Sequence, residues 1–443
     1  MPPARSSLPP LGRSLAVLAA TAAVIGQGAA SAQAAPAPDS KAVTFQGHRF
    51  EVPADWDVVD LAADPTACVR FDRHAVYLGT PGTQQDCPSG LVGRTEALLV
   101  EADTSGEAAR VGTTVSEADR EIVGGARGIR FTATYAENQH LVRKILTGAG
   151  VPASAPKNRA RASAAPAAQR EASEPAPVSA APATSSAALT NHTGKGFDAC
   201  AAPDSATMSA WKAHSPYSAV GIYIGGRNRA CAQTNLTASW VQQQAAAGWR
   251  FMPIYVGAQA RQITSPAAEG RSAADDAVNQ AAALGLGPGA LLYYDMEAYE
   301  SRYSGNVLGF LSAWTEQLHA RGYNSGVYSS SSSGIADLAA HTDSHTMPDV
   351  VFSAYWNGVP DTEDPALPDW AWANRQRVHQ YSGNVTETWG GKRIQIDRDY
   401  MDVALGGPRK PTNAGVFRSE EAKFYVADRN GGLYGHATFG VPG

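Results

Sequence analysis

Between residues 194 and 405, short apolar runs alternate with stretches of helical period. The runs are Lys195–Cys200, Ala219–Ile224, Trp249–Val256, Ala290–Met296, Ser325–Tyr328, Val350–Trp356, Val378–Tyr381 and Ile394–Asp397. Apolar runs of about four to eight residues bounded by Gly or Pro read as buried strands. Helical period follows over Ala206–His214, Leu236–Ala247, Ala267–Leu284, Asn306–Arg321 and, briefly, near Ile335–Ala340, and it is weak after the sixth and seventh runs. Repeated strand–helix alternation argues a parallel sheet. Its repetition over this length predicts an α/β chain built on a (β/α)8 TIM-type barrel, with a doubly wound open sheet as the competing architecture.

Upstream the pattern changes. Val43–Phe45, Arg49–Val52, Ala75–Leu78 and Gly128–Tyr135 alternate with period two between Gly and Pro turns, which predicts a small β-rich domain over residues 41–150. It carries no acid pair, metal spacing or nucleophile motif, so an accessory or interaction role is expected. From 151 to 190 the chain is mostly Ala, Pro and Ser, and core-forming residues nearly vanish, as in an extended linker. Residues 406–443 read as a short tail with a hairpin. At the start, Arg5 and Arg13 flank a Pro-rich segment, Leu15–Ile25 is apolar, and Ala30-Ser31-Ala32 or Ala32-Gln33-Ala34 would suit cleavage. Residues 1–34 are therefore read as a signal peptide, and a secreted or cell-wall-associated protein with no stable membrane span is expected.

Composition narrows the function. The net charge is −5 with no basic cluster, so no footprint for nucleic acid is present. The four cysteines fall as two local pairs, Cys68 with Cys87 and Cys200 with Cys231. Neither pair has CxxC spacing, and two disulfides in an exported protein are the expectation. No cofactor or metal is expected, although hard divalent cations prefer oxygen ligands and an acid cluster offers them.

The candidate chemistry begins at Tyr294-Asp295-Met296-Glu297. Side chains alternate along a strand, so Asp295 and Glu297 face one way, at the carboxyl end where α/β folds bind ligands. Asp198 ends the first run and Asp397 the last. Barrel closure would gather all four acids around one pocket. Tyr223, Tyr255, Tyr328, Tyr355, Trp356 and Tyr381 also fall at strand ends, and amphipathic rings suit sugar faces.

The order of Gly196-Phe197-Asp198, Tyr294-Asp295-Met296-Glu297, Gly326-Val327-Tyr328-Ser329, Ser353-Ala354-Tyr355-Trp356, His379-Gln380-Tyr381 and Ile396-Asp397 resembles the actinobacterial secreted glycoside-hydrolase-like barrels. That family was formerly a domain of unknown function and is related to the family 25 muramidases. The resemblance covers residues 194–403. The turn Ala199-Cys200-Ala201-Ala202 and the Cys200/Cys231 pair are not muramidase features and point to the glycoside-hydrolase-like branch. The resemblance implies action on cell-wall glycan with N-acetylated sugars. Glu297 would be the general acid, and Asp295 would orient an N-acetyl group or stabilise the developing cation. Asp198 or Asp397 would be the opposing carboxylate or would position water, and Gln380 would join the aromatic residues in binding. The alternative implied is a catalytically inactive carbohydrate-binding or envelope-remodelling protein.

Overall fold

The computed structural model describes residues 39–105, 112–153, 185–407, 425–427 and 433–436. The expected signal segment and most of the expected linker and tail lie outside these residues.

The first part is a hairpin and a sheet. Strands β1 (Ser40–Phe45) and β2 (His48–Pro53) pair antiparallel across Gln46 and Gly47, both at positive φ. A six-stranded sheet follows, formed by β3 (Asp57–Asp60), β4 (Ala75–Leu78), β5 (Ala97–Ala102), β6 (Thr114–Ser116), β7 (Glu121–Ala126) and β8 (Ile129–Thr134), in the order β3-β4-β5-β8-β7-β6. Helix α1 (Gln139–Gly148) begins where Asn138 accepts a hydrogen bond from the Leu141 amide, at 3.0 Å. Its Val142, Ile145 and Leu146 recur at helical spacing, and they pack on Phe50, Leu98, Val100 and Phe131.

The second part is a closed barrel. After the short helix α2 (Ser186–Thr190) come β9 (His192–Asp198), α3 (Ser205–His214), β10 (Ala219–Gly225), α4 (Ala238–Ala246), β11 (Arg250–Tyr255) and α5 (Pro266–Ala283). Then follow β12 (Leu291–Met296), α6 (Ser304–Ala320), β13 (Asn324–Ser330), α7 (Ala336–Ala340), β14 (Val350–Ala354), β15 (Gln376–Trp389) and β16 (Lys392–Val403). The eight strands β9–β16 close in sequence order, which removes the open-sheet alternative. Two apolar layers result from strand alternation. Leu291 and Tyr293 fill the barrel interior with Met252, Ile254 and Phe352, whereas Leu292, Tyr294 and Met296 pack outward under the helices.

The expected (β/α)8 TIM-type barrel is corrected here. Strands β9 to β15 run parallel, but β16 is antiparallel to both β15 and β9. A parallel partner needs a crossover of about a dozen residues. Only Gly390 and Gly391 separate β15 from β16, at φ 57° and 77°. Two residues at positive φ make a tight hairpin, so the chain must reverse. No described helix joins β14 to β15 either, and residues 355–375 form a long loop. The strand–helix alternation is therefore incomplete. Strands β17 (Tyr425–Ala427) and β18 (Leu433–His436) pair antiparallel in the tail. Both expected disulfides form, with Cα separations of 4.8 Å for Cys68–Cys87 and 5.7 Å for Cys200–Cys231. Among the described residues no helix is long and apolar enough to cross a membrane.

Candidate functional site

The site is built on the end of β12. Asp295 faces the interior with Leu291 and Tyr293 by strand parity, and Glu297 follows on the same side. The amide of Gln259 clamps this end. Its Nε2 donates to the Asp295 carbonyl at 2.9 Å, and its Oε1 accepts from the Glu297 amide at 2.9 Å. Gly257 lets that segment approach, since a Cβ there would lie 2.2 Å from the Tyr294 hydroxyl. The hydroxyl itself donates to the Ala258 carbonyl at 2.8 Å.

Asp198 and Asp397 are cross-strand partners in the β9–β16 pair. The antiparallel reversal, rather than a parallel strand end, brings Asp397 there. Two residues on, at the same parity, Asp399 joins them. Asp198 accepts the Tyr223 hydroxyl at 2.9 Å on Oδ1 and Gln380 Nε2 at 3.0 Å on Oδ2. Gln380 Oε1 in turn accepts Trp356 Nε1 at 3.0 Å and the Tyr328 hydroxyl at 3.2 Å. Asp397 Oδ1 accepts the Ser89 hydroxyl and the Asn384 amide, both at 2.6 Å.

Five carboxyls so crowded cannot all ionise. Burial, reinforced by the charge of Asp397, pushes Asp198 up to about 8. Burial, then the charges of Asp198 and Asp397, hold Asp399 well above the usual carboxylate range. Among the described residues no hydrogen-bond donor reaches its two buried oxygens. Asp295 is also raised well above its ordinary value, by burial, Glu297 and Asp198. Glu297 is pushed up to about 7 by burial and then by Asp397. The like-charge pressure on Glu297 thus comes chiefly from Asp397, not from its strand neighbour Asp295. For Asp397, burial raises the pKa, while the bonds from Ser89 and Asn384 oppose the rise.

The structure brings Asp198, Asp295, Glu297 and Asp397 together with Tyr223, Tyr328 and Gln380. Tyr355 and Trp356 stand at the rim, and Trp356 is 58% exposed. Tyr255 is not among them. It packs outward in the helix layer and donates to Asp276 of α5 at 2.8 Å, because Met252 and Ile254 hold the interior parity on β11. Tyr381 likewise has the parity opposite to Gln380 and is buried near His379. Sequence reasoning missed Asp399, Gln259, Asn384 and Ser89. Continued alternation past Asp397 would have found Asp399; the others carry no local signal.

Ser89 comes from the first part of the chain, on the loop between Cys87 and Gly93, and is fully buried. Nearby, Arg70 pairs with Cys231 and Val92 with Arg229 as isolated antiparallel bridges. Val92 packs against the barrel-interior cluster that contains Tyr223 and Val256.

No curated protein matches this chain. Among solved structures, an uncharacterized B. stearothermophilus protein is 20% identical, over 47% of this chain and 95% of its own, with a TM-score of 0.37. The catalytic domain of endolysin ply40, from bacteriophage P40 of Listeria monocytogenes, is 15% identical over 48% and 94%, with a TM-score of 0.30. The modular autolysin LytC from Streptococcus pneumoniae is 13% identical over 47% of each chain, with a TM-score of 0.33. The family match begins within α3 and runs to β16, so it takes in Asp295, Glu297, Asp397 and Asp399 but leaves out Asp198 and Ser89. Residues 209–401 match the family model described as Rv2525c-like, glycoside hydrolase-like domain.

Proposed function

We propose that this is an exported hydrolase of cell-wall glycan acting at N-acetylated sugars, with Glu297 as general acid. The observation that carries it is the split within the acid cluster. Glu297 is raised to about 7, and Asp397 is the neighbour whose negative charge helps to raise it. Acid and opposing carboxylate are recognised by environments that push their protonation apart. Asp397 fills the ionised role better than Asp198, which is raised to about 8 and already bonded to Tyr223 and Gln380. Asp295 is assigned to the N-acetyl group or the developing cation. The glycoside hydrolase-like family match supports a glycan-directed role, and the two disulfides fit an exported protein. The test is release of reducing ends from peptidoglycan or N-acetylglucosamine oligomers by the wild type and by Glu297→Gln.

Trp356 is assigned as a sugar platform. Its indole is exposed, yet fixed in place by Gln380 and by packing on Gly383. A Cβ on residue 383 would lie 2.1 Å from the ring, so Gly383→Ala must displace the indole. Loss of one stacking contact is expected to weaken oligomer binding about tenfold, read by titration calorimetry.

A second reading, glycan binding without turnover, is favoured by burial. Asp198, Asp295, Asp397 and Asp399 are each at most 3% exposed. Retention on peptidoglycan with no reducing ends released at any pH would select it.

A further inference from the structure

The loop that carries Ser89, and the segment 68–71 that the Cys68–Cys87 disulfide ties to it, are stitched to the barrel along their main chains. Gly93 N donates to the Asn228 carbonyl at 2.8 Å, Phe71 N to Ala230 at 2.7 Å and Ala232 N to Val69 at 3.0 Å. Arg94 adds a side-chain bond to the Arg229 carbonyl at 2.9 Å, and its guanidinium pairs with Glu121 at 2.9 Å. The Cys68–Cys87 disulfide ties the base of the loop and packs against Cys200–Cys231. A loop held at this many points on both sides is a fixed wall, not a lid.

Its tip meets the acids. Ser89 and the Asn384 amide both donate to Asp397 Oδ1. Oδ2 lies 3.4 Å from where a Cβ of Gly90 would stand, so glycine at position 90 leaves space beside the second oxygen. Asn384 sits at φ 56°, a left-handed conformation held for a residue whose amide points at the carboxylate.

We propose that the amino-terminal part of the chain completes the active site, with Ser89 acting as a positioning residue that holds and orients Asp397 beside Glu297. This rests on the reading of Glu297 as the acid.

The physical chain has two links. A hydroxyl donating to a carboxylate favours its ionised form. The charge so held on Asp397 helps keep the proton on Glu297. The other titratable groups in the field of Asp397 are Asp198 on β9, Tyr223 on β10, Glu297 after β12, Tyr328 on β13 and Asp399 on β16. None of these groups is a cation, so the ionised form of Asp397 is favoured by the hydrogen bonds from Ser89 and the Asn384 amide.

The experiment compares full-length wild type, Ser89→Ala and Ser89→Thr. Carboxyl titration by carbon-13 NMR and pH–rate profiles on N-acetylglucosamine oligomers are the readouts. In Ser89→Ala the apparent pKa of Asp397 is expected to rise by about one unit, and that of Glu297 to fall by less. The acid limb of the rate profile then moves up and the alkaline limb down, so the bell narrows, and Ser89→Thr restores its width. A purely structural serine would scale the rate at every pH without moving either limb. Unchanged Asp397 and Glu297 titrations in a folded Ser89→Ala protein overturn the proposal. If the titrations move but the wild type releases no reducing ends, the positioning contact stands and the hydrolase reading falls.

Discussion

Replacing Glu297 by Gln is expected to lower glycan hydrolysis about a thousandfold, while leaving oligomer binding within a few-fold. The substitution keeps the size of the side chain and removes its proton. Glu297 is raised to about 7, so in the wild type it still carries that proton at pH 6. Activity should fall as pH rises through about 7, because the acid form is the active form, and the residual activity of Glu297→Gln should lack that alkaline limb. Burial is the larger cause of the shift and the charge of Asp397 the second. Asp397→Asn should therefore move the alkaline limb down in any remaining activity. Initial rates of reducing-end release at several pH values check both statements.

The acid cluster also predicts how stability depends on pH. A carboxyl whose folded pKa lies above its unfolded value binds its proton more tightly in the fold. Its stabilisation is full below about pH 4, near the unfolded carboxylate value, and is lost as pH rises through the folded value. For Asp198 that folded value is about 8. Asp295 and Asp399 are shifted in the same direction. The melting temperature should therefore decline between pH 5 and pH 8. Asp399→Asn keeps the size of the side chain and removes the charge that burial disfavours. It is expected to flatten the decline and to raise the melting temperature at pH 8. Thermal unfolding by circular dichroism across this range reads both. A variant that melts lower than the wild type at pH 8 would contradict the assignment of a proton to Asp399.

Strand parity made much of the site legible. The alternation in Leu291–Met296 fixes which residues face inward, so Asp295 and Glu297 follow directly. The same rule, applied to β11, excludes Tyr255: Met252 and Ile254 are inward, so Tyr255 cannot be. Reading strand-end aromatics without parity mistook a helix-layer tyrosine for a ligand. The Gly390-Gly391 pair was a readable hairpin signal between two alternating segments, and it decides that β16 runs antiparallel. Treating the last two runs as further parallel strands gave the regular barrel that the structure corrects. Burial-driven protonation was only partly legible, because strand neighbours are visible in sequence and cross-barrel neighbours are not. Ser89 was out of reach altogether. Its partner Asp397 lies 308 residues away, and a lone serine in a loop has no pattern to mark it.

The most direct measurement is a crystal structure of full-length Glu297→Gln with an N-acetylglucosamine tetramer. The tetramer is expected to lie with a sugar face on Trp356, a glycosidic oxygen within hydrogen-bond reach of residue 297, and Asp397 still bonded to Ser89. A tetramer bound away from the acid cluster, or an empty barrel mouth at saturating ligand, would contradict a glycan-cleaving site at Glu297.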